Sequence, residues 1–168
     1  MKKIVTVFAF IFTCLIVQAQ NSDVTTYYFI RHAEKVRTDT SNKDPNLNAK
    51  GLQRAKKWKE VFIHVKFDAI YTTDYHRTKQ TAKPTADSKN LPVFIYNPGE
   101  IYNDAFKSET KGKTVLVVGH SNTTPFFVNK VIGKNKYLQI DDQNNSNLYI
   151  VTITKGKTTD ILLKIDMK

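Results

Sequence analysis

Apolar and polar positions change period several times along this chain, and each change marks an element. Residues 4–17 (IVTVFAFIFTCLIV) are an unbroken apolar and small-residue run, after which the sequence turns polar at Gln18. Residues 26–30 (TYYFI) are β-branched and aromatic, the composition of a buried strand. A polar stretch from Glu34 to Asn48, with Asp44-Pro45 inside it, reads as a loop. From Asn48 to about His64 the pattern is helical, with Leu52, Ala55, Trp58 and Phe62 on one face and Lys and Arg on the other. Residues 67–71 (FDAIY) predict a second strand. Asp74 is the expected N-cap of a helix running to about Lys83 and bent at Pro84.

Residues 91–96 (LPVFIY) predict a third strand, ended by Asn97-Pro98-Gly99, and 100–108 a short helical or irregular piece. Residues 113–118 (KTVLVV) are apolar on both faces, which places them centrally in a sheet that ends at Gly119. Thr124-Pro125 reads as N-cap and first residue of a helix to about Ile132, with Gly133 behind it. Residues 147–154 and 159–165 read as a closing hairpin about 155–157. Alternating strands and helices with a β-ended tail predict an α/β fold: a three-layer sandwich with a mostly parallel central sheet flanked by helices. The 168 residues suffice for one domain with a real core, and no repeat or linker divides them.

The opening run changes the picture of the N-terminus. Lys2-Lys3, an apolar stretch and a small residue before the polar switch have the order of a secretory signal peptide, residues 1–19, cut after Ala19. Fourteen apolar residues fall short of the roughly 20 a spanning helix needs, so cleavage is expected over a retained anchor. Cys14 follows Phe12-Thr13, which does not suit a lipoprotein signal. The expected mature chain, 20–168, is a single domain, exported to the periplasm or released, and not membrane-spanning. Cys14 is the only cysteine, so that mature chain has no disulfide, thiol nucleophile or cysteine metal site. The net charge of +11 becomes +9 without Lys2 and Lys3, which favours anionic partners. No compact Lys/Arg block or binding motif points to nucleic acid.

The candidate chemistry lies at strand ends. Arg31-His32 follows YYFI, Gly119-His120 follows VLVV, and Arg77 comes soon after FDAIY. In open α/β sheets the carboxyl ends of strands form the ligand crevice. Arg31, His32, Arg77 and His120 are thus expected on one edge. Taken singly, each has a plain structural explanation; it is their matching positions that point to a site.

These residues sit in motifs that resemble the histidine phosphatase superfamily, of phosphoglycerate-mutase-like fold, in its branch of small phosphatases. They are YFIRHAEK at 28–35, LNAKG at 47–51 with Gln53 and Ala55, IYTTD at 70–74 with Arg77, Gln80, Thr81 and Ala82, and VLVVGHSN at 115–122. The likeness spans roughly Tyr27 to Ile132, in the family's order and spacing. It implies a covalent phosphohistidine on His32, with Arg31, Arg77 and His120 around the phosphoryl group and no metal or cofactor. Forked guanidinium donors suit three charged phosphoryl oxygens. Asn122, near a helix start, is expected to add a donor. Lys35 is expected to help bind the substrate, a small phosphorylated anion, whereas Arg37 and Lys43 read as a solvated loop. Ala33 stands where the family usually has Gly. Ser121 follows His120 where the acid-phosphatase branch has Asp. Glu100 fits the place of the leaving-group acid best, with Asp104 one helical turn on. The competing readings are a phosphate- or polyanion-binding module that has lost catalysis and, below it, a phosphoglycerate mutase.

Overall fold

Six strands and four helices alternate along the chain in this computed structural model, which describes residues 24–167. The expected signal peptide, residues 1–19, lies outside the described residues. In chain order the elements are β1 (Val24–Arg31), α1 (Ala49–Val61), β2 (Ala69–Thr72), α2 (His76–Lys89), β3 (Val93–Ile95), α3 (Asp104–Thr110), β4 (Thr114–Gly119), α4 (Thr123–Ile132), β5 (Asn147–Thr154) and β6 (Lys157–Lys164). The strands form one sheet in the order β3-β2-β4-β1-β5-β6. The first four are mutually parallel, and β5 and β6 run antiparallel beyond β1.

The two central strands are apolar on both faces because both faces are covered. Tyr27, Phe29, Val115 and Val117 pack with Phe106 of α3 and with Phe127, Val128 and Val131 of α4. Their neighbours Ile30, Leu116 and Val118, with Ile70, pack on the other face against Trp58, Phe62, Ala82 and Ala86 of the α1–α2 side. Two cores divided by one sheet make the three layers.

Several local expectations shift. Leu52, expected on the core face of α1, is 49% exposed, while Arg54 is buried. A guanidinium tolerates that burial because it forks onto the Glu34 carboxylate, Nε and Nη2 lying 2.8–3.0 Å from its oxygens. Asp74 does not cap α2; it pairs with Lys79, and Tyr75 takes the cap position. The helix runs through Pro84 to Lys89, since loss of one N–H is outweighed by Ala82, Thr85 and Ala86 packing on the sheet. In α4, Asn122 rather than Thr124 is the N-cap, and Pro125 still falls in the first turn, where no N–H is needed. Gly133 ends α4 at φ +67°, as a left-handed C-cap. Lys155 and Gly156, both at positive φ, form the two-residue turn between β5 and β6. No helix among the described residues is long and apolar enough to cross a membrane.

Candidate functional site

The parallel register carries three strand ends to one edge. Arg31 lies opposite Gly119 across the β1–β4 pair, and the His32 N–H donates to the Gly119 carbonyl at 2.9 Å. β2 sits on the other side of β4, so the segment after Thr72 arrives beside His120. There the Thr73 hydroxyl is 2.9 Å from His120 Nε2. The edge holds a cavity of about 340 Å³ lined by Arg31, His32, Arg77 and His120, with Lys35 and Asn122 also on its wall. Ring centroids of His32 and His120 are 5.4 Å apart.

The local bonds set the state of each group. His32 Nδ1 is 2.7 Å from the Ala33 carbonyl, and a carbonyl only accepts. Nδ1 therefore carries the proton, and the lone pair lies on Nε2. Burial holds the His32 pKa down at about 3; Arg31, His120 and Arg77 add to this, and the Ala33 hydrogen bond opposes it. His120 is lowered to about 4, by burial first and then by Arg77, Arg31 and Lys35. Both rings are neutral at pH 7.

The arginines are anchored differently. Arg31 is buried, its Nη1 donating to the carbonyls of Asp141, Asp142 and Asn144 and its Nη2 to Asp142 Oδ1 at 2.7 Å. The Arg77 guanidinium stacks over the Tyr75 ring at 4.2 Å and reaches Asp44 at 3.3 Å. Among the described residues, the Nε atoms of both arginines are buried without a hydrogen-bond partner.

One expectation is corrected. Glu100 lies exposed in the turn after Pro98, its N–H bonded back to Asn97, and does not line the cavity. Asp104, the alternative, starts α3 with its side chain in solvent against Lys107. Pro98 of the Asn97-Pro98-Gly99 turn still lines the cavity, but neither carboxylate does.

The carboxylate on the cavity wall is Asp142, which the sequence reading missed. It bridges Arg31 and Arg37 and is held far below the usual carboxylate range by those two hydrogen bonds. Asn145, also missed, donates from Nδ2 to the His32 carbonyl at 2.8 Å. Both belong to the polar run DDQNNSN at 141–147. Because β5 is antiparallel to β1, its beginning meets the end of β1, with Leu148 opposite Ile30. That strand direction is the signal that would have found them. Tyr75, against the His120 ring at 5.0 Å, was overlooked as well.

The fold is similar to that of solved histidine phosphatases. Residues 27–97 match the family described as histidine phosphatase superfamily (branch 1). No curated protein matches the chain in sequence. Among solved structures, it overlays on the protein histidine phosphatase SixA complexed with tungstate, with TM-score 0.65 and 17% identity over 83% of this chain and 96% of that one. It overlays likewise on the alpha-ribazole phosphatase from Shigella flexneri, with TM-score 0.63 and 16% identity over 86% and 100%. A phosphoglycerate mutase from Bacillus anthracis gives TM-score 0.63 and 14% identity over 85% and 94%. The resemblance read from the motifs is therefore to the histidine phosphatase superfamily, with the phosphoglycerate-mutase-like fold.

Proposed function

We propose that the chain is an exported phosphatase that hydrolyses a phosphate monoester or phosphohistidine through a covalent phosphohistidine on His32. The observation that carries this is the His32 ring, fixed by the Ala33 carbonyl with its Nε2 lone pair available, in a cavity shared with Arg31, Arg77 and His120. Nε2 attacks phosphorus as the bond to the leaving group breaks. Water then attacks the phosphohistidine in line, the N–P bond breaks, and inorganic phosphate leaves with His32 restored. The two unpaired buried Nε–H groups, with Asn122 and Lys35, are the donors that an incoming phosphoryl group satisfies. The arginines supply the positive charge of this reading, without a metal.

With Glu100 in the outer turn and Asp142 held ionised, no protonated carboxyl lines the cavity among the described residues. The reading therefore favours groups that depart readily. Since a general acid contributes on the order of 100-fold or more, phenyl phosphate should turn over about 100-fold more slowly than p-nitrophenyl phosphate. Solved relatives of this fold are named for a histidine-bound phosphoryl group and for a ribazole phosphate, so both N–P and O–P substrates suit it. His32→Ala should reduce p-nitrophenyl phosphate turnover at least about 1000-fold. Turnover equal to wild type would remove the proposal. Residues 1–19 are proposed as the signal peptide and 20–168 as the single mature domain.

A further inference from the structure

Asn122 and Thr123 line more than the catalytic cavity. They also line a second cavity of about 440 Å³ beside the start of α4, a size typical of small-molecule sites. One wall is the outer face of α4, where Phe126 is 50% exposed. The other is the 134–140 loop, which presents Leu138, 87% exposed.

That loop is fastened to the helix. Asn129 donates from Nδ2 to the Tyr137 carbonyl at 2.8 Å, and its Oδ1 accepts the N–H groups of Lys136 and Tyr137. Beyond it, the Ile140 N–H donates to the Ser121 carbonyl at 2.8 Å, and the Ile140 side chain is buried. The wall is thus fixed relative to the residue that follows His120.

Its chemistry contrasts with the site next door. None of the nine residues lining it is charged, in a chain where 24% of residues are. The catalytic cavity, by contrast, is walled by Arg31, Lys35, Arg77 and Asp142, the last pairing with both Arg31 and Arg37. The groove between α1 and α2 shares no lining residue with the catalytic cavity.

We propose that this second cavity receives the leaving group, and that the preferred substrate is a small phosphate monoester whose organic part is uncharged and aromatic or otherwise apolar. The proposal rests on the phosphatase reading and specifies its substrate class. Phe126 and Leu138 supply apolar contact, and the carboxamides of Asn122 and Asn129 border it.

Non-hydrolysable phosphonates test this without turnover. By calorimetry, 1-naphthylmethylphosphonate should bind wild-type protein about tenfold more tightly than methylphosphonate, the gain expected for burying an apolar ring system. Phosphonoacetate, with a charged tail, should show no such gain. The exposed double substitution Phe126→Ser with Leu138→Ser should erase most of the preference, methylphosphonate reporting that the anion site is intact. Equal wild-type affinity for the naphthyl and methyl compounds, or a preference undiminished in the variant, overturns the proposal and leaves the phosphatase reading standing. Failure of every phosphonate to bind overturns both.

Discussion

At His32, burial and the flanking guanidinium groups outweigh the Ala33 carbonyl, so the ring that carries the lone pair stays neutral far into acid. The acid limb of kcat/KM should therefore lie near pH 3–4 once the substrate's own ionisation is allowed for. A limb near the ordinary histidine value of 6.5 would show that the cavity does not depress His32 as described. At this scale the site was legible where a residue follows a parallel strand directly. Arg31, His32 and His120 needed only strands recognised by their apolar runs, and Arg77 a helix start nearby. Asp142 and Asn145 were not legible, because their place depends on the direction of β5, which an apolar pattern does not encode. Glu100 is off the cavity wall although Pro98, two residues before it, is on it; distance along the chain does not tell the two apart.

Between elements, the nucleophile loop and α1 join at a close approach. A Cβ on Gly51 would lie 2.0 Å from the Glu34 carbonyl oxygen, a backbone atom unable to yield alone. Gly51→Ala should therefore cost about 3 kcal/mol in urea unfolding, at the upper end of overpacking effects. A cost under about 0.5 kcal/mol, the range of a neutral surface change, would contradict that close approach. The same joint explains the misassigned face of α1. Period alone put Leu52 inward, but the inward position belongs to Arg54, because Glu34 arrives from the loop to meet it. Periodicity finds a helix and its approximate face; a buried ion pair from a distant segment is beyond it. The sheet was more legible, since β4 is apolar at every buried position and β5 was bounded correctly by the turn that follows it.

For the whole molecule, the two depressed histidines couple stability to pH. Above 6.5 both are neutral folded and unfolded, and their contribution is complete. As pH falls below 6.5 the unfolded chain takes up protons that the folded chain refuses, so stability drops through the interval down to about 4 for His120 and about 3 for His32. The urea midpoint should therefore be lower at pH 5 than at pH 7, and a His32→Asn, His120→Asn variant should show a smaller decrease. An identical decrease in the variant would assign it to other groups. Export belongs to this scale too. Protein recovered from the periplasm or medium of an expressing bacterium should begin at Gln20, give or take a residue. An intact Met1 on the recovered chain would contradict cleavage.

The central claim is tested most directly by quenching the mature protein during turnover of a ³²P-labelled phosphate ester and mapping the label. The account predicts one phosphoryl group per chain, acid-labile and base-stable, on His32. Label on another residue, or no phosphoenzyme alongside measurable turnover, would contradict it.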